Sequence, residues 1–261
     1  MKADYHVHTY YSDDSECPME DMVKQAVSLG LDEIVFTEHV DYGVKTDLNC
    51  DYDAYFKEVE SLKHKYAARI SIRAGIEFGV QMHTIPLFLR DCGRYPFEFI
   101  ILSNHQIDNK EFWNLEFQEG KSQEEFQQAY YEAIYEVAQN YKNYSVLGHL
   151  DMIKRYDSYG SYPDEKIMDI VDRILRLVIA DGKGIELNTS CFKYGLSDLT
   201  PSRAILKHYL DLGGRIITIG SDSHEAKHLG GHVEEAKEIL KEIGFKQFCT
   251  FEKMEPVFWD L

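Results

Sequence analysis

Seven short apolar runs recur along the chain, and six of them end at or near a histidine, an aspartate or a glutamate. The runs are residues 3–7, 33–37, 70–76, 97–103, 145–148, 184–187 and 215–220. On them or just after them stand His6 and His8, Glu38 and His39, Glu77, His105, His149, Asn188, and Asp222 with His224. Because all strands of an α/β barrel point the same way, their carboxyl ends meet on one face. The sequence therefore predicts that metal-binding side chains from segments more than 200 residues apart converge there.

Helical patterns fill the intervals between these runs. Apolar residues at helical spacing predict helices over residues 18–29, 53–66, 122–141, 163–180, 202–212 and 233–243. Ser122 and Glu125 form a capping-box pattern, and Gly30 and Gly182 follow two other helices. Since the runs are continuously apolar, they suit parallel strands buried on both faces. Strand–helix alternation of this kind indicates right-handed βα units and a parallel sheet.

The spread of candidate ligands over nearly every strand end favours a closed barrel. An open sheet would instead concentrate its site at one switch point. We therefore expect the α/β class and a distorted TIM-like (β/α)7 barrel, with a metal site at the carboxyl ends of the strands. The pattern leaves a count of seven strands and a count of eight equally favoured. Without a linker or a repeat, the 261 residues predict one domain over residues 1–261.

Composition restricts the partners of such a chain. A formal charge of −17 without a basic stripe argues against nucleic acid, although bound cations would still allow a small anionic substrate. No apolar run reaches the roughly 20 residues of a membrane span, and no signal-peptide pattern opens the chain. The five cysteines show no CxxC pair, which argues against a disulfide framework. We therefore expect a cytoplasmic protein that binds neither nucleic acid nor membrane.

Two residue pairs repeat one geometry. His6 and His8 stand two apart on a strand, so their side chains share a face and reach one metal ion, and Asp222 and His224 repeat this spacing. Either pair alone is a weak signal, but the two pairs support each other. Glu77 closes an apolar strand, where a carboxylate is costly to bury without a partner. Its partner is a metal ion or, on the alternative reading, an arginine such as Arg73.

Single histidines follow three other runs, at His39, His105 and His149. A lone histidine in such a place is more often a hydrogen-bonded core residue than a metal ligand. Three histidines that stand in register with the pairs above favour the ligand reading.

The motifs resemble those of the polymerase-and-histidinol-phosphatase (PHP) superfamily, in order from residue 6 to about residue 231. They are His6-x-His8-Thr9-x-x-Ser12-x-Asp14, Thr37-Glu38-His39, Gly75-Ile76-Glu77, Ser103-x-His105, Gly148-His149-x-Asp151 and Gly220-Ser221-Asp222-Ser223-His224. Within the superfamily, residues 148–156, 186–190 and 220–224 are similar to stretches of the histidinol-phosphate phosphatase branch. Cys191 and Lys193 stand where this branch often has glycine and arginine.

The resemblance implies three divalent metal ions. The first would be held by His6, His8, Glu77 and Asp222, the second by Glu77, His105 and His149, and the third by Asp14, His39 and His224. Imidazole and carboxylate ligands without thiolate suit zinc, manganese or iron, and do not choose among them.

The implied chemistry is hydrolysis of a phosphate monoester by a hydroxide that bridges two metal ions. The candidate catalytic residues are Asp222 and His224, with Asp222 or an unligated histidine as the proton donor. Arg155 and Lys193 would bind phosphate, and His83 and His228 are further candidate substrate-binding residues, with His228 alternatively supporting the ligands or lining the entry loop. Arg155 has an alternative as the partner of Asp151 or Asp157, and His83 as a loop residue without a role. The aromatic segments 112–117 and 156–162 either shape substrate access or pack against a helix.

The branch-like stretches imply a small phosphorylated substrate, L-histidinol phosphate, hydrolysed during histidine biosynthesis. A second hypothesis keeps the site but changes the substrate to another small phosphate ester, a nucleotide, phosphotyrosine or a DNA end. A third hypothesis is a metal-stabilised binding module without turnover, which would be expected to lack part of the ligand set. The oligomeric state stays open.

Overall fold

The computed structural model describes residues 1–261 and contains twelve strands and eight α-helices. The strands are β1 (Ala3–Val7), β2 (Glu33–Phe36), β3 (His39–Val40), β4 (Ser71–Gly79), β5 (Phe99–Ser103), β6 (Gln106–Ile107), β7 (Lys110–Glu111), β8 (Val146–Leu147), β9 (Gly184–Asn188), β10 (Ile217–Gly220), β11 (Gln247–Glu252) and β12 (Glu255–Asp260). The helices are α1 (Met19–Leu29), α2 (Tyr52–Tyr66), α3 (Ile85–Arg94), α4 (Gln123–Asn140), α5 (Met168–Ala180), α6 (Ser190–Tyr194), α7 (Arg203–Asp211) and α8 (Val233–Ile243).

Seven parallel strands form a nearly closed barrel, in the order β1-β2-β4-β5-β8-β9-β10, and the short β3 pairs with β4 beside it. Beyond the last strand, Val7 and Ser223 form a parallel bridge, and the backbone N–H of His8 donates to the carbonyl of Ser223 at 2.8 Å. This contact brings β10 next to β1. The predicted (β/α)7 barrel is therefore confirmed, with seven barrel strands rather than eight.

All six predicted helices are present, and five of them lie within one residue of the expected bounds at each end. The exception is α5, which begins five residues later than expected because a separate 3-10 turn spans Asp164–Lys166. The capping box that begins α4 is formed, because Ser122 accepts from the backbone of Glu125 and the Glu125 side chain accepts from Ser122. The prediction missed α3, the short α6 and the hairpin β11–β12. No helix is both long enough and apolar enough to cross a membrane.

The hairpin β11–β12 covers the amino-terminal end of the barrel. Its Cys249 and Phe251 complete a small buried cluster inside the barrel, together with Ala3, Tyr5, Val35, Phe99, Ile101 and Val146. The backbone N–H of Phe251 donates to the Tyr5 hydroxyl at 2.6 Å, and that hydroxyl donates to Glu33. One end of the barrel is thus filled by packed side chains, and the loops at the other end remain available for a site.

Candidate metal centre

The carboxyl ends of the strands bring together all nine predicted metal-binding side chains. They come from β1 and the loop after it, from β3 and β4, and from the segments that follow β5, β8 and β10. Eight of these side chains are at most 17% exposed, and Asp14 is 48% exposed. They are His6, His8, Asp14, His39, Glu77, His105, His149, Asp222 and His224.

Glu77 is fully buried at the centre of this cluster. Its Oε2 lies 3.1 Å from His6 Nε2, 3.6 Å from His8 Nε2 and 3.0 Å from His39 Nδ1. The alternative partner, Arg73, instead pairs with carboxylates at the other end of the barrel. The alternative of a salt bridge between Arg73 and Glu77 is therefore wrong.

The second oxygen of Glu77 faces a different pair of imidazoles. Oε1 lies 3.2 Å from His105 Nε2 and 2.7 Å from His149 Nε2, and it accepts a hydrogen bond from Ser103 Oγ at 2.6 Å. One carboxylate thus lies between two groups of histidines. This is the position that a carboxylate bridging two cations would occupy.

Asp222 and Asp14 lie on two other sides of the cluster. Asp222 Oδ1 is 3.7 Å from His6 Nε2 and 3.4 Å from His8 Nε2. The backbone of Asp222 is left-handed, with φ of 55°, a conformation that costs energy for a residue other than glycine and is frequent at functional sites. Asp14 Oδ2 is 3.1 Å from His224 Nε2 and 3.7 Å from His39 Nε2.

The donor atoms of this cluster fit metal ions. Four overlapping groups of three side chains place their ligand atoms within 4.8 Å of one another. Six buried atoms of the cluster lack any hydrogen-bond partner, which is costly unless something else satisfies them. They are His6 Nε2, His8 Nε2, His39 Nδ1, Glu77 Oε2, His149 Nδ1 and His224 Nε2. Unsatisfied imidazole nitrogens and a carboxylate oxygen, without thiolate, are ligands for zinc, manganese or iron.

A second layer of polar groups orients four of these rings. In each ring Nδ1 is bonded away from the cluster: His6 to Glu186 at 2.6 Å, His8 to Ser12 Oγ at 3.1 Å, His105 to Asp41 at 3.0 Å, and His224 to the Asp222 carbonyl at 3.1 Å. This leaves Nε2 of each ring directed at the cluster, as is usual for metal-binding histidines.

Sequence reasoning missed Glu186 and Asp41, and the backbone makes room for Asp41. A Cβ built at Gly79 would lie only 1.7 Å from Asp41 Oδ1, so only glycine permits this approach to His105.

The carboxylates and imidazoles of the cluster shift one another's pKa values in opposite directions. Burial lowers the pKa of His6, but Glu186, Glu77 and Asp222 outweigh it and raise that pKa well above its ordinary value. Burial raises the pKa of Glu77, but the surrounding imidazoles prevail and hold it well below its usual range. The Glu77 carboxylate is thus ionised, and protons on histidine balance its charge. Cations that bind here would replace those protons.

Arg155 lies beside the cluster and is buried. Its Nη2 donates to Asp222 Oδ2 at 3.1 Å, and its guanidinium lies 4.6 Å from the centre of the Tyr194 ring. Lys154, not Arg155, pairs with Asp151, at 2.7 Å. The alternative of Arg155 as a partner of Asp151 or Asp157 is therefore wrong.

The other three candidate substrate residues lie farther out. Lys193 is exposed and lines an adjoining depression that also borders Asp14 and His224. His83 and His228 do not line the cavity over the cluster, so the structure gives no support to their prediction as substrate-binding residues. His83 lies on a short turn that follows β4, and His228 Nε2 lies 3.9 Å from Glu225 Oε1.

A cavity of about 600 Å³ opens over the cluster, a size typical of small-molecule sites. Parts of both aromatic segments line it, including Phe112, Trp113 and Tyr156, so these segments shape access to the cluster. Phe112 also packs inward against Tyr130, so both readings of the first segment apply.

Known proteins are similar to this chain in sequence and in fold. The PHP domain profile matches residues 4–190. The histidinol-phosphatase of Lactococcus lactis subsp. lactis (strain IL1403) is 34% identical over 97% of this chain and 96% of its own length. The probable histidinol-phosphatase of Clostridium acetobutylicum is 28% identical over 97% and 98%. The crystal structure of the Lactococcus lactis histidinol phosphate phosphatase, complexed with zinc, L-histidinol and phosphate, superposes with a TM-score of 0.92, 33% identity and 98% coverage of both chains.

Proposed function

This chain belongs to the PHP family, and from that membership we propose that it is a metal-dependent phosphatase that hydrolyses L-histidinol phosphate to L-histidinol and phosphate. The observation that carries the proposal is Glu77, a buried carboxylate between five histidine nitrogens. The full-length similarity to the Lactococcus enzyme, solved with zinc and both products, supports this substrate. A reaction that yields L-histidinol suits histidine biosynthesis.

We propose that the cluster holds three divalent ions, as the family resemblance implies. We assign the first to His6, His8, Glu77 and Asp222, the second to Glu77, His105 and His149, and the third to Asp14, His39 and His224. The distances from Glu77 Oε2 to His6 and from Oε1 to His149, 3.1 and 2.7 Å, support Glu77 as the bridge. Bound there, such ions supply an activated water molecule and neutralise the oxygens of the phosphate.

The protein side chains contribute binding and orientation. The buried Arg155, held by Asp222 and stacked on Tyr194, presents a fixed cation to the phosphate and to the charge that develops during hydrolysis. Lys193, which lines the neighbouring depression, would attract phosphate there. In the reaction, a water oxygen bonds to phosphorus, the bond from phosphorus to the histidinol oxygen breaks, and that oxygen takes up a proton.

The charge state of Asp222 narrows the choice of the group that protonates the leaving oxygen. Burial raises the pKa of Asp222, but His6, His8 and Arg155 outweigh it and keep that pKa well below its usual range. An ionised carboxylate has no proton to give, so Asp222 suits a metal-ligand role better than acid catalysis. His224 Nδ1 faces the Asp222 carbonyl, whereas its Nε2 lies 3.1 Å from Asp14 Oδ2 without a hydrogen-bond partner and is available to bind a cation. We therefore assign His224 as a metal ligand.

The whole of residues 1–261 would act as one PHP-type domain, consistent with the relatives that match over 97% of the chain. All five cysteines are unpaired, which suits a reducing compartment such as the cytoplasm.

Phosphate release from a substrate panel tests this function. We expect kcat/KM for L-histidinol phosphate to exceed that for phosphotyrosine, glycerol phosphate and AMP by at least about a hundredfold, since only the named substrate gains extra contacts in the cavity. The panel is measured with zinc, manganese and iron in turn, and bound metal is counted per chain. Equal rates across the panel would remove the case for histidinol phosphate.

A further inference from the structure

Glu111, at the end of β7, is only 7% exposed, and yet its carboxylate has no strong hydrogen-bond or ion-pair partner. Its Oε1 lies 3.9 Å from the nearest cation, Lys45 Nζ, and its Oε2 accepts one weak hydrogen bond from Asn114 at 3.4 Å. A buried carboxylate with so little compensation is costly. Glu111 lines the cavity above the metal-binding cluster, so a ligand in that cavity is the partner within reach.

Every other carboxylate that lines this cavity is already engaged. Asp13 pairs with Lys45 at 2.9 Å, and Asp41 holds the ring of His105 at 3.0 Å. Asp14 and Asp222 face histidines of the cluster. Glu111 is therefore the one lining carboxylate that remains to bind a cationic group.

Resting on the proposed function, we propose that Glu111 is a specificity-determining residue that binds the ammonium group of L-histidinol phosphate. With the phosphate held at the cluster and Arg155, the organic part of the ester extends into the rest of the cavity. At neutral pH its ammonium carries a full charge, whereas an imidazole of ordinary pKa near 6.5 is mostly neutral. The buried carboxylate is thus matched to the ammonium, and the imidazole is left to the aromatic walls, Phe112 and Trp113.

The test combines one variant with one altered substrate. The deaminated substrate, 3-(imidazol-4-yl)propyl phosphate, keeps the phosphate and the imidazole but lacks the ammonium group. For the metal-loaded wild-type protein we expect kcat/KM to fall about 30-fold when the ammonium is absent, since a buried charge-assisted hydrogen bond is lost. Equal values for the two substrates would overturn the proposal whatever any variant does.

Glu111→Gln should lose about 30-fold in kcat/KM toward L-histidinol phosphate and less than about twofold toward the deaminated substrate. A similar loss toward both substrates would show a structural role and overturn the proposal. Glu116→Gln is the matched control, because Glu116 is exposed on the same segment, and it should leave both values unchanged.

The Lys45→Met variant tests whether Glu111 acts on the ammonium group of the substrate or only on Lys45. If Glu111 served only to hold Lys45, this variant would lose discrimination between the two substrates just as Glu111→Gln does, and the proposal would fail. We expect discrimination to persist in Lys45→Met, with bound metal and melting temperature recorded for every variant. A wild-type protein that hydrolyses neither substrate in preference to unrelated esters would refute the proposed function itself, a result distinct from both outcomes above.

Discussion

The two ends of the barrel each bury a glutamate, and the two carboxylates are treated in opposite ways. At the amino-terminal end, Glu33 accepts hydrogen bonds from the Tyr5 hydroxyl, from Ser71 Oγ at 2.9 Å and from Arg73 Nε at 2.9 Å. At the carboxyl-terminal end, Glu77 is surrounded by imidazoles, and its Oε2 has no hydrogen-bond partner.

The comparison separates a structural carboxylate from a functional one. Partners within the chain satisfy Glu33, so it contributes to stability without any ligand. The neighbours of Glu77 compete with one another for protons, and their donor atoms are satisfied together only by cations. The two residues are almost equally buried, at 3% and 0% exposed. What distinguishes the functional site is therefore whether the carboxylate oxygens have hydrogen-bond partners within the chain.

The largest effect is expected for Glu77→Gln. Loss of the bridging carboxylate should reduce kcat/KM by at least about a thousandfold, because both cations that share it lose a ligand. Steady-state phosphate release gives the rate, and elemental analysis should show fewer ions per chain. A variant that retains the full metal content and near-normal activity would contradict the central role of Glu77.

Arg155→Gln should cost about a hundredfold in kcat/KM, because a fixed cation is lost beside the phosphate. Metal content is the control, since Arg155 also contacts Asp222. Unchanged metal binding with a reduced rate indicates direct contact with phosphate. Metal loss in proportion to the rate would instead assign Arg155 to supporting Asp222.

Glu33→Gln should have the smallest effect on catalysis and a clear effect on stability. It leaves Arg73 with only Glu98, at 3.2 Å, and we expect the free energy of unfolding to fall by about 2 kcal/mol. Chemical denaturation measures the loss, and activity per bound metal should stay within about twofold. If Glu33→Gln removed metal ions, the distinction between the two ends would be wrong.

Much of the fold could be predicted because hydrophobic periodicity is a local signal. The long apolar stripe of α5 and the runs that became β5 and β10 are visible within single windows of sequence. The convergence of His6, Glu77 and Asp222 could also be predicted, because parallel strands in a barrel share one direction.

The hairpin β11–β12 was missed because its turn lacks the usual residues. Lys253 and Met254 both adopt positive φ, of 52° and 69°, where a two-residue hairpin turn normally has asparagine or glycine. The helix α3 is only ten residues long, and Gly93 near its end weakens the pattern. Tertiary packing, not local sequence, sets both elements.

The residues that orient the metal-binding side chains could be predicted from the sequence only in part. Glu186 interrupts the apolar strand β9, and the cost of burying it, the argument applied to Glu77, would have identified it. Asp41 follows a two-residue strand, and its contact with His105 depends on how two loops pack. His83 and His228 do not line the cavity, and distance along the chain from a metal ligand says little about which way a loop turns.

The contact between Tyr5 and Phe251 spans 246 residues and has a consequence for how the chain is made. At a usual synthesis rate of about 5–20 residues per second, about 12 to 50 s separate the two residues on the ribosome. For that time the Tyr5 hydroxyl lacks its contact with Phe251, and the amino-terminal end of the barrel is not covered by the hairpin β11–β12. We therefore expect completion of the barrel to be a late step in folding, and expression yield to depend on protection of the nascent first strand.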